Sequence, residues 1–368
     1  MAPGGIPAQR GKRWYTNGIL RPDGALLMFA GQPAPRGPGV LLLAGALAVP
    51  PTADPPGAPT EQLHRISHAA MGSELEVQAY TRDPATLNRV VAEGFAAVDA
   101  LDARWSLYRP DSELSRLNRR ASSGEVVALE ADLFELLQVS ADLHRMTRGA
   151  FDVTVGPVVR LWGFLDGQPH WPQPEDLEAC RRRTGFENVE LDAKARTLRF
   201  LRPAMEIDLG GIAKGYAVDL LAGRLRRAGV ERFLVDFGGS SQLASGSPPG
   251  QAGWYLYLRP TWNDRLPMRK VVARDLSLST SSNDQRFWVR DGRIYGHVLD
   301  PRTGLPTAHR GSVSVIAPSA TLSDALSTAF LVLGPEEAAR IVHTHREWRA
   351  VFYSPRDGWT EIGTEVVR

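Results

Sequence analysis

Hydrophobic residues recur along the chain with two different periods, and each period predicts a different kind of element. Residues 75–80 alternate apolar and polar side chains, which is typical of a half-buried strand. From Asp83-Pro84 as far as Trp105 the apolar positions return every three or four residues, which predicts an amphipathic helix. A second such helix is predicted over Ala131–Met146. We expect the ordered part of the chain to begin near Leu63, ahead of these elements.

The second half of the chain continues with strands, hairpins and two more helices. Period-two patterns and turn residues predict strands at residues 188–191, 197–200, 233–237, 312–316, 350–353 and 359–362. Asp291-Gly292 predicts a hairpin turn. Helices are predicted shortly after Gly211 and over the segment SATLSDALSTAF, residues 319–330.

The segment IDLGGIAKGYAVD, residues 207–219, places glycines, a carboxylate and a lysine where a helical pattern begins. We expect Gly210 and Gly211 to lie at a strand-to-helix corner, where an anion can approach the backbone and the helix N-terminus favours phosphate. Lys214 adds a full charge, and Asp208 can accept a hydrogen bond from a ribose, a ring N–H or a metal-bound water. The alternative is a plain helix entry, with Asp208 as its cap and Lys214 in solvent.

Asp324 and Thr328 lie one turn apart on one face of an otherwise apolar predicted helix. Either the Thr328 hydroxyl bonds to the helix backbone while Asp324 faces solvent, or the two side chains hold a hard cation. Oxygen ligands of this kind suit Mg²⁺, which binds few carboxylates and takes its other ligands from water, carbonyls and substrate phosphate.

Three other side chains are candidates because of their surroundings. Asp152 lies in the apolar segment GAFDVTVGPVVRLWGF and needs a partner there, and Gly156-Pro157 is expected to interrupt any long regular element. Tyr108, beside a turn, either stacks on an aromatic ligand or simply packs. His297 is expected at a strand end next to the rigid Asp300-Pro301 turn, where it is either a satisfied strand histidine or a group that titrates near neutral pH.

Composition narrows the classes of function. The chain has 368 residues with 43% apolar content, which suffices for one large or two modest globular domains. Its 43 basic and 41 acidic residues give a net charge of +2, so we expect no polyanion-binding field and no nucleic-acid partner. Cys180 is the only cysteine, which excludes an internal disulfide, a cysteine-based zinc site and a redox pair within the chain.

Residues 1–62 differ in composition from the rest and are expected to form a leader with a Pro-rich linker. The apolar run VLLLAGALAV at residues 40–49 is too short to span a bilayer. Arg36 before the run, with Ala46 and Ala48 in A-x-A spacing at its end, favours a secretory signal peptide, and translation from Met28 is our hypothesis. The alternative is a disordered leader with a chance apolar patch. Residues 63–368 would form the functional domain.

Seven segments, in order between residues 66 and 334, resemble the bacterial FAD:protein FMN transferases, the ApbE-type flavin transferases. They are MGSELEV, LYRPDSELSRLN, GAFDVTVGPVVRLWGF, IDLGGIAKGYAVD, VDFGGSS, YGHVLDPRTG and SDALSTAF. The whole set is far more specific than any one segment. The resemblance implies an α+β fold with mixed, largely antiparallel sheets flanked by helices, and two subdomains with a flavin cleft between them.

The resemblance also implies a reaction: Mg²⁺-dependent cleavage of FAD, in which a threonine hydroxyl of an acceptor protein attacks the pyrophosphate. FMN becomes joined to that threonine as a phosphoester, and AMP leaves. Membrane-bound respiratory flavoprotein subunits are the acceptors that the family implies. Two other functions stay open, namely an FAD pyrophosphatase that gives FMN and AMP, and a flavin-binding protein without turnover.

Carried over residue by residue, the resemblance assigns two sets of positions. The FAD site would be lined by Met71, Tyr108, Ala150, Phe151, Asp152, Asp208, Lys214, His297 and Leu299. Mg²⁺ would be held by Asp324, Ser327, Thr328 and the backbone carbonyl of Gly211. Lys214 would help to neutralise the pyrophosphate. His297 is expected to take the threonine proton, with Asp208 as the alternative base.

The sequence departs from the family pattern at three places. Ser240 stands where many relatives carry Asp or Asn, and residues 281–286 read SSNDQR where many read close to SGDYER. These differences concern recognition of the acceptor more than binding of FAD. The lipoprotein cysteine that usually follows the signal segment is absent. We therefore expect an exported, soluble periplasmic protein without a lipid anchor.

Overall fold

A computed structural model describes residues 61–165, 170–261, 266–284, 286–290 and 293–363, together with three short strands nearer the N-terminus. The predicted signal segment at residues 40–49 and the predicted Asp291-Gly292 turn lie outside the described residues. Within the described residues, no helix is long and apolar enough to cross a membrane.

Helices and strands follow one another along the whole described chain. The helices are α1 (Pro84–Trp105), α2 (Glu113–Ser122), α3 (Ala131–Met146), α4 (Gly156–Leu161), α5 (Pro174–Arg181), α6 (Ala213–Arg227) and α7 (Ala320–Val342). The strands are β1 (Tyr15–Thr16), β2 (Gly18–Leu20), β3 (Leu26–Met28), β4 (Gln62–Ala70), β5 (Ser73–Thr81), β6 (Val127–Ala128), β7 (Val189–Asp192), β8 (Thr197–Phe200), β9 (Arg232–Phe237), β10 (Ser241–Ser245), β11 (Trp254–Leu258), β12 (Arg269–Ala273), β13 (Leu276–Ser282), β14 (Arg286–Arg290), β15 (Arg293–Gly296), β16 (Leu299–Asp300), β17 (Leu305–Pro306), β18 (Ser312–Ala317), β19 (Arg349–Ser354) and β20 (Gly358–Ile362).

The main sheet has eight strands in the order β20-β19-β18-β13-β10-β9-β5-β4, and every neighbouring pair in it is antiparallel. Helices α6 and α7 pack against one face of this sheet. The hairpin β11–β12 packs against the other face through an apolar cluster that includes Trp254, Leu256 and Leu278. Because both faces are covered, the central strands are buried on two sides.

A smaller unit lies beside the main sheet. The three-stranded sheet β6-β8-β7 packs with α2 and α3 in the largest apolar cluster, which continues onto α7 and β18. Asn118 on α2 fixes the segment that leads to α6, because its side-chain amide donates to the carbonyl of Ile207 at 2.9 Å and accepts from the N–H of Ile207 at 2.8 Å. This pair of hydrogen bonds positions the Gly-Gly turn between the two units.

Most of the predicted elements are confirmed. The Ala131–Met146 helix has the predicted bounds, and α1 begins at Pro84 with Asp83 as its N-cap, accepting from the N–H of Thr86 at 3.0 Å. The strands predicted from residue 75 onwards correspond to β5, β7, β8, β9, β18, β19 and β20. The α+β fold with largely antiparallel sheets is also confirmed.

Three expectations are corrected by the structure. Gly210 and Gly211 do not follow a strand: β8 ends at Phe200, and the residues before α6 form only a bridge between Glu206 and Val155. Pro203 has no N–H for a strand ladder, which explains the early end. Gly156-Pro157 begins α4 instead of breaking a regular element, because proline is favoured in a first helical turn.

The third correction is a missed strand. β4 (Gln62–Ala70) lies at the edge of the main sheet and pairs with β5 along its whole length. Its sequence, QLHRISHAA, places polar His64 and His68 at the less exposed positions and apolar Leu63 and Ala69 at exposed ones, so the alternation of apolar and polar residues is weak.

Candidate functional site

The beginning of α6 crosses the first turns of α7 at very short distance. A side chain at Gly215 would collide with the carbonyl of Ala320 and would lie 2.7 Å from Cβ of Asp324. The absence of a side chain lets the backbone N–H of Gly215 donate to Oδ2 of Asp324 at 2.8 Å. The N–H of Gly215, at the positive end of α6, therefore binds a carboxylate of the protein itself.

Asp324 is the buried charge of this crossing. Its residue is 6% exposed, and burial raises the pKa of the carboxyl above its ordinary value. The charge of Lys214, the N–H of Gly215 and the hydroxyl of Ser241 lower that pKa, while Asp219 raises it. A buried carboxylate gains from a nearby cation. The alternative in which Asp324 faces solvent is wrong.

Two hydroxyls follow Asp324 on the same face of α7. Ser327 donates to the carbonyl of Asp324 at 2.8 Å, and Thr328 lies 3.4 Å from the same carbonyl oxygen. Ser281, at the end of β13, lies 2.8 Å from Oγ of Ser327 and 3.2 Å from Oγ1 of Thr328. Three hydroxyl oxygens thus meet one helical turn beyond a buried carboxylate.

The Gly-Gly turn approaches this group from the other unit. A side chain at Gly211 would lie 3.4 Å from Oγ1 of Thr328 and 3.5 Å from the ring of Phe151. The ring of Phe151 is buried, and it belongs to the GAFDVTV segment. The structure therefore brings Gly211, Thr328 and Phe151 together from three distant stretches of sequence.

Lys214 extends the site toward a second Gly-Gly turn, Gly238-Gly239. Its ammonium group donates to Oγ of Ser240 at 2.6 Å. Gly238, in the same turn, has a left-handed φ of 63° and packs against the side chain of Ser73. Its N–H donates to the carbonyl of Glu74 at 2.7 Å, so the turn is tied to the β4–β5 connection.

Met71 lies in that β4–β5 connection and is half-buried. Its N–H donates to Oδ2 of Asp102 at 3.2 Å, and its backbone is left-handed with φ of 45°. A cavity of about 680 Å³ opens here, lined by the turn residues and Asp102. A series of contacts thus leads from the β4–β5 connection, through Ser73 and Gly238, to Ser240 and Lys214.

The side chain of Asp208 forms a hydrogen bond within its own turn. Its Oδ1 accepts from the N–H of Gly210 at 2.7 Å, and its N–H donates to the carbonyl of Val153 at 2.7 Å. Burial and the charge of Glu206 raise the pKa of Asp208, while the Gly210 N–H and Arg160 lower it. Asp208 does not cap α6 directly, because the residue at the cap is Ile212.

Asp152 has the partners that its apolar surroundings require. Oδ1 accepts from the N–H and the hydroxyl of Thr154 at 2.8 and 2.7 Å, and Oδ2 accepts from the N–H of Phe186 at 3.1 Å. Nδ1 of His144 lies 3.0 Å from Oδ2. The carboxylate therefore ties the segment after Phe151 to the turn at Phe186, while the N–H groups of Ala150 and Phe151 donate to the carbonyl and the hydroxyl of Thr147 at 3.1 and 3.0 Å. It also borders a cavity of about 350 Å³ between α3, α5 and the turn at Arg302.

The remaining predicted residues lie at the periphery. Tyr108 is 67% exposed on the loop after α1, so it is not ordinary core packing. Leu299 is buried with Val158 and Trp162 in a small cluster on α4. His297 is half-buried directly after β15, and the preceding Gly296 packs against Asn283, two residues beyond Ser281.

The donor set at Asp324 fits a hard cation. Among the described residues, no three His, Cys, Asp or Glu side chains are placed to hold a metal ion. The oxygens that do converge are one carboxylate, the hydroxyls of Ser327 and Thr328, and the backbone near Gly211. Mg²⁺ binds in this way, with few carboxylates and the balance from neutral oxygens and substrate phosphate.

Two contributors were not predicted from the sequence. Gly215 looked like an ordinary helix residue, although it permits the crossing of α6 and α7. Ser281 belongs to residues 281–286, which depart from the family pattern, and no role is predicted for it there. The signal that points to Ser281 is the alternation in LSLSTSS, which places serines at every second position of a strand otherwise apolar enough for the core.

Comparison with known proteins assigns the chain and its fold to a class of enzyme. The model of the ApbE family matches residues 71–352. The FAD:protein FMN transferase of Vibrio cholerae is 32% identical over 311 residues, covering 83% of this chain and 92% of the relative. The protein of that name from Escherichia coli K12 is 34% identical over 266 residues, covering 71% and 75%.

The solved structures agree with the sequence relatives. The apo form of the flavinyl transferase ApbE of Pseudomonas stutzeri superposes with a TM-score of 0.73 at 31% identity, covering 83% of this chain and 96% of that one. The fold and the relatives define an enzyme of the transferase class. The chain belongs to the ApbE family.

Proposed function

We propose that this chain transfers FMN from FAD to a threonine hydroxyl of an acceptor protein, with Mg²⁺ as cofactor and AMP as the second product. The observation that supports this most strongly is the convergence of Asp324, Thr328, Gly211 and Lys214 at the crossing of α6 and α7. The names of the relatives give the same activity class.

Asp324, Ser327, Thr328 and the carbonyl of Gly211 are the groups that would hold Mg²⁺. Bound there, the ion would neutralise charge on the pyrophosphate of FAD. Lys214 would also neutralise charge on the pyrophosphate. Its hydrogen bond to Ser240 holds the ammonium group in position without removing its charge. Alignment and charge neutralisation are the main requirements of phosphoryl transfer.

In the proposed reaction, the threonine oxygen attacks the phosphorus on the riboflavin side of the pyrophosphate. A new phosphoester bond forms, the bond from that phosphorus to the bridging oxygen breaks, and AMP leaves with the bridging oxygen. The threonine proton passes to a base. We assign this role to His297, which follows a strand end and has the side chain most often used for it. Asp208 is the alternative, and burial raises its pKa toward a more useful range.

FAD would lie along the series of residues that leads from Met71 past Lys214 to Gly211. Tyr108 is exposed enough to stack on a flavin ring, and Met71 borders the cavity beside the β4–β5 turn. Ala150 and Phe151 would line the site next to Gly211, and Thr147 holds their backbone there by accepting from both N–H groups. Leu299 would support the backbone after His297 from its buried cluster.

We also propose that the protein acts after export to the periplasm, on a membrane-bound respiratory flavoprotein subunit. The sequence pattern of residues 36–49 supports export. Detection of an intact N-terminus in the cytoplasmic fraction would contradict it.

The function is tested by co-expression with candidate acceptor subunits. Denaturing gels are scanned for flavin fluorescence, and AMP is measured in a parallel reaction with FAD and Mg²⁺. AMP together with covalent flavin on a threonine of the acceptor supports the transferase. AMP without covalent flavin indicates the pyrophosphatase, and bound FAD without AMP indicates a binding protein.

A further inference from the structure

The face of β13 that meets α7 carries serines in place of core hydrophobics. Leu276 and Leu278 point to the opposite face, where they join the cluster of the β11–β12 hairpin. Ser277, Ser279 and Ser281 occupy the alternate positions and contact α7. Buried hydroxyls destabilise a fold unless they are hydrogen-bonded, so this arrangement requires an account for each of the three.

Ser277 and Ser279 belong to a closed structural group with Ser323 of α7. The Ser277 hydroxyl donates to the carbonyl of Ala317 at 2.9 Å, and Ser323 donates to the carbonyl of Ala320 at 3.2 Å. Oγ of Ser279 lies 2.7 Å from Oγ of Ser323. Each of the three hydroxyl hydrogens has an acceptor, and all three residues are inaccessible to solvent.

Ser281 repeats this contact one helical turn further on, where α7 approaches the site. Two residues of strand and four of helix span about the same length, roughly 6 Å, so the next serine of β13 meets Ser327. Ser281 differs in being half-buried and in lying near two hydroxyls, those of Ser327 and Thr328.

A count of hydrogens shows what Ser281 does for these two hydroxyls. The hydrogen of Ser327 goes to the carbonyl of Asp324 at 2.8 Å, so Ser281 donates to Ser327. For Thr328 that same carbonyl is a poor acceptor, at 3.4 Å, whereas Oγ of Ser281 lies at 3.2 Å. Ser281 thus offers Thr328 a closer acceptor than the carbonyl of Asp324 does.

The consequence concerns the lone pairs of Thr328. A hydroxyl that binds a cation must direct a lone pair at it and its hydrogen elsewhere. With its hydrogen taken by Ser281, Oγ1 of Thr328 keeps its lone pairs available for a cation, and this oxygen lies 3.4 Å from where a side chain at Gly211 would begin. Without Ser281, the hydrogen has only the distant carbonyl and is free to rotate into the site.

We propose that Ser281 is a positioning residue of the cation site, which orients the hydroxyls of Ser327 and Thr328 without itself holding the ion. This inference rests on the proposed function, since it requires a divalent cation at Asp324 and Thr328. Partners of this kind typically change metal affinity by about 10-fold to 100-fold.

The experiment measures Mn²⁺ binding by electron paramagnetic resonance, in the presence of ADP, a diphosphate that carries no FMN to transfer. The variants are Ser281→Ala and Ser281→Cys, which keeps the volume but is a weak hydrogen-bonding group. Ser281→Thr restores a hydroxyl. Ser279→Ala is the matched control, because it removes the equivalent strand-to-helix hydrogen bond at a position closed off from the site. Thermal unfolding of each variant is recorded in parallel.

We expect Ser281→Ala and Ser281→Cys to raise the Mn²⁺ dissociation constant at least about 10-fold, and Ser281→Thr to recover most of the loss. Ser279→Ala should lower the melting temperature and leave Mn²⁺ binding unchanged. Unchanged binding in both Ser281→Ala and Ser281→Cys overturns the inference, as does equal weakening in Ser279→Ala. Absence of Mn²⁺ binding in the wild-type protein refutes the cation itself, and with it the proposed function. The two failures are therefore distinguishable.

Discussion

The backbone N–H of Gly215 and the carboxylate of Asp324 form a 2.8 Å hydrogen bond that joins the beginning of α6 to α7. The contact exists because residue 215 has no side chain. Asp219, one turn along α6, accepts from the N–H groups of Ala320 and Thr321 at 2.9 and 2.8 Å and so caps α7. Two carboxylates thus fix one crossing, and only Asp324 also faces the candidate site.

Gly215→Ala should destabilise the protein, because the added methyl group would collide with the carbonyl of Ala320. We expect a loss of about 1–3 kcal/mol in the free energy of unfolding, as is typical for overpacking. Chemical denaturation measures it. The matched control is Gly223→Ala in the same helix, where the nearest atom is the mobile guanidinium of Arg227 at 3.4 Å. That variant should be neutral or stabilised by up to about 1 kcal/mol. Equal effects at both positions would contradict the close crossing.

Tyr108→Ala should weaken FAD binding several-fold, since aromatic stacking contributes about 1 kcal/mol. Its side chain is largely exposed, so the melting temperature should not change. Fluorescence titration with FAD measures the affinity. Tyr108→Phe keeps the ring and should bind as the wild type does. Unchanged affinity in Tyr108→Ala would remove this residue from the flavin site.

His144 should make stability depend on pH. Burial lowers its pKa, but the hydrogen bond and charge of Asp152, together with Glu187, outweigh burial and raise the pKa above its ordinary value. Because the folded pKa is the higher one, this stabilisation is complete below about pH 6.5, the value typical of an unfolded chain, and is lost as pH rises through the folded pKa.

The comparison of wild type with His144→Gln tests that sign. At pH 5.5 the variant should be less stable by about 1–3 kcal/mol, the usual range for a hydrogen bond to a charged group. At pH 9 the difference should be smaller. Urea denaturation at both values measures it, and a difference that grows with pH would show that His144 is held neutral.

His297→Ala should lower the rate of transfer by about 10²-fold to 10⁴-fold, the usual contribution of a general base, while FAD and Mg²⁺ still bind. A base must be unprotonated, so the wild-type rate should fall on the acid side of the pH profile as the base takes up a proton. The variant should lack that acid limb. If binding and rate fall together, His297 only hydrogen-bonds the phosphate. If the wild-type profile has no acid limb, His297 is not the base, and Asp208 becomes the residue to test.

The sequence predicted the elements of this fold better than their close contacts. Periodicity identifies α1, α3 and the Asp324–Thr328 face, because these patterns are local and repeat over many residues. The edge strand β4 was missed because His64 and His68 occupy less exposed positions and break the apolar–polar alternation. Gly215 and Ser281 were missed because both roles depend on contacts with α7. Gly215 contacts a residue of α7 more than 100 positions further along the chain, and Ser281 contacts α7 from the neighbouring strand β13. The alternation in LSLSTSS marks the strand face that carries Ser281, but nothing periodic in the sequence marks its contact with α7.

The family resemblance names more candidate site residues than the patterns do, and their roles stay predictions. Asp324, Thr328, Gly211 and Phe151 come from three separate segments, and the structure brings them together. The carboxylate of Asp152 has the partners that its apolar surroundings require, and these are Thr154, Phe186 and His144. Hydrogen-bond saturation of this kind depends on the folded arrangement of α3 and the 3-10 turn at Phe186, which no local pattern specifies.

The most direct measurement is AMP release from FAD in the presence of an acceptor, compared between wild type and Asp324→Ala, with and without a chelator. Asp219→Asn serves as the control, because it weakens the cap of α7 without removing a group of the site. We expect AMP from the wild type and from folded Asp219→Asn, and a fall of at least about 10²-fold in Asp324→Ala, as for loss of a group that stabilises transition-state charge. Chelator should abolish release from every variant. Full AMP release by folded Asp324→Ala, or by wild type in excess chelator, would contradict a Mg²⁺ site at the crossing of α6 and α7.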